Sequence, residues 1–115
     1  MSLPAVKPLS IYEGDDTIFK FQWLGPDGYP VKIDRSQIRL AAKRNYDEDV
    51  PLLVSHAQIV NADNGIFAIV IPSAASKQLH VKQPLDLIYD VQTTMPSGWV
   101  HTLFRGPLTI LPEVD

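Results

Sequence analysis

The feature that most constrains this chain is a series of short apolar–polar alternations, each ended by proline or glycine. The 115 residues contain ten prolines and six glycines. In residues 17–24, the alternation places Phe19, Phe21 and Trp23 on one face and polar side chains on the other. Alternation of this kind, bounded by turn residues, is typical of half-buried antiparallel strands.

The same pattern predicts most of the remaining secondary structure. Further strands are predicted at residues 36–44, 51–60 (one or two short strands), 66–71, 85–94 and 99–111. Residues 66–71 are almost continuously apolar, which predicts a strand covered on both faces. Residues 72–79 are the only convincing helical segment, with Ser73 placed to accept hydrogen bonds from its first amides.

About eight short strands with tight turns predict an all-β fold. The arrangement is typical of an immunoglobulin-like antiparallel β-sandwich of about 7–9 short strands with one short helix. The length fits a single domain over residues 1–115, of which we expect residues 1–8 to be flexible or partly an expression remnant. Because the chain has no cysteine, this domain would lack the disulfide of antibody domains.

Composition argues against several classes of partner. The formal net charge is −3 and the one basic pair, Lys43 and Arg44, is followed at once by acidic residues. Nucleic-acid binding needs clustered cations, so we expect none. No apolar run approaches a membrane-spanning length, and the start lacks the pattern of a secretory signal. We therefore expect a soluble protein without a membrane contact.

No catalytic, metal or cofactor motif is apparent. His56, His80 and His101 lie far apart and lack metal-ligand spacing. Asp86 and Asp90 would lie about 13 Å apart on one strand, beyond the separation of a carboxylate pair. The acidic turns lack the closing glutamate of a known calcium loop. We predict a protein that is not an enzyme, with no catalytic residues, no metal and no cofactor.

The register of the last hairpin decides where Trp99 points. With an even-numbered loop, Val100 and Phe104 face the core and Trp99 faces outward. A three-residue loop, Pro96-Ser97-Gly98, sends Trp99 inward but buries Arg105, unless Gly106-Pro107 resets the alternation. Because burying an unpaired arginine is costly, we favour the even-numbered loop with Trp99 outward.

This register predicts a contact surface on the outer face of the hairpin, an apolar strip with charged neighbours. The candidate residues are Ile88, Asp90, Trp99, His101, Leu103 and Arg105. The alternative is that a long loop, residues 45–56, covers these side chains.

The chain also resembles a known group of proteins. The segments IYEGDDTIFKFQW, GPDGYPVKI, NGIFAIVIPSAAS and LIYDVQTTMPSGWVHTLFRGPLTILPEVD look like the small immunoglobulin-like structural proteins of tailed phages and prophages. They are similar also to the N-terminal domain of phage baseplate upper proteins. The likeness runs from about residue 11 to residue 115, although Trp99 stands where a small polar residue is expected.

The resemblance implies a virion-associated structural role in a tail, baseplate or neck, with other virion proteins or further copies of the chain as partners. The location would then be the virion, or otherwise the bacterial cytoplasm as a prophage product. An adhesion or carbohydrate-binding β-sandwich that uses Trp99 as a stacking surface is the alternative. An enzyme built on Asp86, Asp90 or a histidine is a third, weaker hypothesis.

Overall fold

The computed structural model of this chain describes residues 5–33 and 36–112. Within these ranges it contains eight β-strands and one short helix, so the prediction of an all-β fold is confirmed. The elements are β1 (Ala5–Val6), β2 (Leu9–Tyr12), β3 (Thr17–Gln22), β4 (Gln37–Lys43), β5 (Leu53–Asn61), β6 (Ile66–Ile71), α1 (Ser73–Lys77), β7 (Leu85–Thr94) and β8 (Val100–Leu111).

The strands form one mixed sheet that curls around the core until it is nearly barrel-like. Its hydrogen-bonded order is β1-β8-β7-β4-β5-β6-β3, and β2 also pairs with β8. The start of β5 pairs with β4, and its end pairs with β6. At this change of partner, Ser55 Oγ donates a 2.5 Å hydrogen bond to the carbonyl oxygen of Val70. The weak alternation predicted for residues 51–60 is thus one long strand whose two halves have different neighbours.

The core lies between the two ends of the curled sheet. Phe21 of β3 and Phe67 of β6 contact Phe104 of β8, with the rings of Phe21 and Phe104 centred 4.8 Å apart. On β7, Leu87, Tyr89 and Val91 are buried, as the alternation predicts. Tilted aromatic pairs of this kind add to the stabilisation from the apolar area that they bury.

The acidic residues that follow β2 hold the connection between β6 and β7. Asp16 Oδ1 accepts a 2.7 Å hydrogen bond from the backbone N–H of Ser73, at the start of α1. Glu13 accepts a second one from the backbone N–H of Val81. The prediction that Ser73 caps the helix with its own side chain is therefore wrong, because no side-chain cap from the helix itself is present and Asp16 serves that amide.

The first strands of the chain lie parallel to β8. Ala5 and Val6 pair with Phe104 and Arg105, so part of the segment 1–8 that was expected to be flexible forms a strand, while residues 1–4 lie outside the described residues. The close approach depends on Gly106, where a Cβ atom would stand 2.5 Å from the carbonyl oxygen of Lys7. Opposite Gly106, the buried Tyr89 donates a 2.6 Å hydrogen bond from its hydroxyl to that same oxygen.

In the part of the chain that the structure describes, the helix is far too short to cross a membrane.

Candidate functional site

The turn of the β7–β8 hairpin contains three residues, Pro96, Ser97 and Gly98. The backbone N–H of Met95 donates to the carbonyl oxygen of Trp99 at 2.8 Å, and that of Gly98 donates to the carbonyl oxygen of Met95 at 2.8 Å. Gly98 has φ of +92°, a left-handed conformation that a residue with a Cβ adopts only with strain. The even-numbered loop that we favoured from the sequence is therefore wrong.

A bulge further along β8 restores the alternation of buried and exposed side chains that packing of the core requires. Thr94 pairs with Val100 and Gln92 with Thr102, but the next residue of β7, Val91, pairs with Phe104. Leu103 is the extra residue of this bulge, because a bulge places two residues of one strand against one of its partner. The reset comes at Leu103, ahead of the Gly106-Pro107 pair that the sequence suggested.

The bulge removes the conflict between the turn and the core. On the base side of Leu103, Phe104 is buried and Arg105 is exposed. On the tip side, His101 stands opposite Thr93, a fully buried residue, so His101 and Trp99 lie on the core-facing side of the hairpin. They nevertheless extend past the end of the core, and Trp99 is 68% exposed.

The prediction that Trp99 faces outward is therefore wrong, although its side chain is exposed. Its indole is centred 6.2 Å from the His101 ring, with 20° between the two planes. His101 also neighbours Trp23, whose indole is centred 6.0 Å from the His101 ring and packs against the core. We call Trp23, His101 and Trp99 the aromatic stack.

The backbone around Trp23 fixes the inner end of the aromatic stack. The N–H of Trp23 donates to Gly65 at 2.9 Å, and its carbonyl oxygen accepts from the N–H of Val31 at 3.0 Å. Trp23 therefore lies between the β5–β6 turn and the segment after the Gly25–Pro30 turn. The sequence placed Trp23 on the correct face of β3 but gave no sign that it would meet the tip of the last hairpin.

The predicted contact surface does not form one patch. Leu103 is only 7% exposed, so its assignment to the surface is wrong, and Val100, expected inside, is exposed. Trp99 and His101 belong to the aromatic stack. The other three members, Ile88, Asp90 and Arg105, lie on the outer face of the sheet. Ile88 is half-buried there, and Asp90 stands directly opposite Arg105.

The outer face carries a cleft of about 180 Å³ where Asp90 and Arg105 meet β4 and the loop that follows it. Its lining comprises Ala41, Lys43, Tyr46, Ile88, Tyr89, Asp90, Thr102 and Arg105. Burial raises the pKa of the Asp90 carboxyl above its usual range, an effect partly opposed by the positive charges of Arg39 and Lys43. Ala41 and Ile88 are the apolar floor of the cleft. Its charged lining residues are two cations, Lys43 and Arg105, and one anion, Asp90.

The loop that was expected to cover the candidate surface leaves most of it open. Tyr46 lies beside the cleft, but its own side chain is 78% exposed, and Trp99 is not covered. Part of the expected loop, from Leu53 onward, belongs to β5. The loop is ordered locally by Glu48, which accepts a 2.8 Å hydrogen bond from the backbone N–H of Arg44.

The remaining candidates for chemistry are scattered. Among the described residues, no three histidine or acidic side chains converge as a metal site would need. Asp86 accepts a 3.1 Å hydrogen bond from the hydroxyl of Thr109, two residue pairs from the cleft edge at Ile88. His56 lies on β5, and His80 follows α1 with φ of +49°. Of the three histidines, His101 is the one that belongs to the aromatic stack.

No model of a known protein family matches this chain, and no curated protein matches it at a significant level.

Proposed function

We propose that this protein is a non-enzymatic structural or assembly module of a tailed-phage or prophage virion, in its tail, baseplate or neck. It would act through protein–protein contacts with other virion proteins or with itself, and the aromatic stack would be its main contact. The observation that carries this proposal is Trp99, a large side chain that is 68% exposed yet held at the end of a structured hairpin.

We also propose that the fold is an immunoglobulin-like sandwich, which the order of the strands supports. In immunoglobulin domains, the second, fifth and fourth strands are neighbours in one sheet, and the third, sixth and seventh are neighbours in the other. Here β3, β6 and β5 follow one another on one side, and β4, β7 and β8 do so on the other. The helix would then be an insertion between the fifth and sixth strands of that plan.

The aromatic stack has the properties of an anchor for a protein partner. Tryptophan is enriched among the residues whose truncation costs most at interfaces, because it buries a large area with few rotatable bonds. Trp99 loses little conformational freedom on binding, since the His101 ring already lies against it. Trp23 packs against both His101 and the core, so the folded interior holds the aromatic stack in place.

The test is co-expression with the product of each gene adjacent to the one that encodes this chain. We expect a stable complex with a tail, baseplate or neck protein, and we expect Trp99→Ala to weaken it at least about tenfold, as for a central aromatic contact. Tyr29→Ala is the matched control, because Tyr29 is an exposed aromatic in a different turn. Neighbouring genes unrelated to virion structure, or binding that Trp99→Ala leaves unchanged, would contradict the proposal.

A second candidate function is carbohydrate binding, favoured by the same exposed indole. One face of a sugar ring stacks on an aromatic side chain, and adjacent polar groups set its orientation. The imidazole of His101 and the hydroxyl of Ser97, which accepts from the N–H of Trp99 at 3.5 Å, are the polar groups near that indole. A glycan array with the intact protein and Trp99→Ala decides the matter, since only binding lost in the variant supports a sugar ligand.

A further inference from the structure

A second exposed apolar group lies on the outer face of the sheet, away from the aromatic stack. Tyr46, in the loop after β4, lines the cleft there and is exposed. Val54 of β5 is also exposed and stands opposite Ala41, which forms part of the cleft floor. Directly opposed residues of an antiparallel pair project from the same face, so Val54 continues the apolar floor toward the loop.

Charges of both signs surround this apolar group. Asp90 is flanked on its own strand pair by Arg105 and across β4 by Arg39 and Lys43. Immediately beyond Tyr46 come three acidic residues of the loop. The cationic members are Arg39, Lys43, Arg44 and Arg105, and the acidic members are Asp47, Glu48, Asp49 and Asp90. We call these residues, with Tyr46 and Val54, the outer patch.

Apart from Asp90, which lies among the cations, the acidic residues of the outer patch belong to the loop after β4 and most of its cations belong to β4 and β8. The cations of β4 and β8 surround the cleft, whereas the acidic loop residues follow Tyr46 at its edge. A two-fold symmetric interface brings one patch against an identical patch, so it must be complementary to itself. Rotation by 180° would set the acidic loop of each copy over the cations of the other. It would also bring both sets of exposed apolar side chains to the centre.

We propose that the outer patch is a homodimer interface, in which Tyr46 of each copy packs on the apolar floor of the other. A second copy fits better than a nucleic acid or an acidic membrane surface, because either of those would be repelled by the three loop carboxylates. The net charge of −3 gives little long-range repulsion between copies at physiological ionic strength. The proposal is independent of the contact assigned to the aromatic stack, since the two groups share no residue.

The first test measures the molar mass in solution as a function of protein concentration, by sedimentation velocity at low salt. We expect a reversible monomer–dimer equilibrium. Tyr46→Ser should raise the dissociation constant by about tenfold or more, as for a central aromatic contact. Tyr29→Ser is the matched control, because Tyr29 is 73% exposed and Tyr46 is 78% exposed, but Tyr29 lies in the Gly25–Pro30 turn. A strict monomer, or equal effects of the two variants, would overturn the proposal.

The second test uses charge reversal, which also establishes the reciprocal geometry. Arg105→Glu and the double variant Asp47→Lys with Asp49→Lys should each dissociate the dimer when alone. Mixed in equal amounts they should associate again, because each supplies the sign that the other lacks. Arg39→Glu replaces Arg105→Glu if thermal unfolding shows that the latter is poorly folded. Failure of the mixed variants to associate would overturn the two-fold arrangement.

Two measurements, one at high salt and one on a hairpin variant, distinguish the outer-patch interface from the contact proposed for the aromatic stack. At 1 M salt, where the Debye length is about 3 Å, the dimer should weaken because its outer contacts are ionic. Trp99→Ala should leave the dimer intact. A dimer lost in Trp99→Ala but kept in Tyr46→Ser would move self-association to the aromatic stack, so the outer-patch proposal would fail while the hairpin contact stood.

Discussion

The β7–β8 hairpin has two halves that obey different rules. In the base, from Leu85 to Val91, the side chains alternate between core and surface, and the paired strand β8 has β1 and β2 as its parallel neighbours on the other edge. In the tip, beyond Leu103, the same face continues, but the opposing side of the fold ends at Trp23. The core-facing side chains of β8 are therefore buried in the base, whereas His101 and Trp99 in the tip are exposed.

The difference shows what the bulge does for the molecule. One extra residue lets a three-residue turn and a correctly packed base coexist, because it shifts the pairing of β8 by one position. Without this shift, the turn would impose its register on the base, where Arg105 would be buried. Packing therefore governs the base, whereas the tip carries aromatic side chains that the described residues leave exposed.

The largest expected contrast between the halves comes from truncating one aromatic residue in each. Phe104→Ala should cost about 3–5 kcal/mol of unfolding free energy, because it leaves a cavity beside Phe21 and Phe67. Trp99→Ala should change that free energy by no more than about 0.5 kcal/mol, since its side chain is mostly in solvent. Urea denaturation measures both. Comparable losses would mean that the tip is part of the core.

A pair of glycines gives the next contrast. Gly106→Ala should cost at least about 2 kcal/mol, because the new Cβ would clash with the carbonyl oxygen of Lys7 and displace β1. Gly98→Ala meets no atom within 4 Å, so only its left-handed backbone opposes it, at about 1–2 kcal/mol. The same urea denaturation series measures both variants. A larger loss of unfolding free energy in Gly98→Ala than in Gly106→Ala would mean that β1 is not held against β8.

The hydroxyl of Tyr89 joins the base of the hairpin to Lys7, the residue that follows β1. Tyr89→Phe should cost about 1 kcal/mol at neutral pH, the net contribution of one hydrogen bond. Burial raises the pKa of Tyr89 to about 12. Because the folded pKa lies above the unfolded value of about 10, this contribution is complete below pH 10 and is lost as the pH rises toward 12. The difference in stability between the wild type and Tyr89→Phe should shrink across that window, and a constant difference would mean that Tyr89 ionises normally.

The smallest effect is expected where the two halves join. Thr93 is fully buried opposite His101, and its Oγ1 has no hydrogen-bond partner within the described ranges. Thr93→Val should therefore raise the unfolding free energy by up to about 1 kcal/mol, because it removes a buried polar group that is not satisfied. Thr109→Val, which removes a hydroxyl bonded to Asp86, is the control and should not stabilise. A loss of stability in Thr93→Val would indicate a bound water or partner at this hydroxyl.

Much of the fold could be predicted from the sequence, because alternation within a strand is local information. In residues 85–94 the apolar side chains alternate at odd-numbered positions, where Leu87, Tyr89 and Val91 are buried, and the bounds of β7 coincide with those predicted. The candidate surface was predicted less accurately. Trp99 is exposed but on the core-facing side of the hairpin, Leu103 is buried, and the other members lie on two faces. One inserted residue reverses the face of every side chain beyond it, and no residue type marks Leu103 as that insertion.

The sequence by itself determined the all-β character, the turn residues and the apolar faces of the strands, since these depend on periodicity and on the backbone preferences of glycine and proline. Only the tertiary structure decided that β5 joins the two sides of the sheet, that Asp16 serves the helix, and that Trp23 meets His101. The reason is physical: Asp16 lies 57 positions from Ser73 and Trp23 lies 78 positions from His101, and the partners of β5 depend on which strands become neighbours. The location of the bulge belongs to the same class, because the core packing of Phe104 and the exposure of Arg105 fix it together.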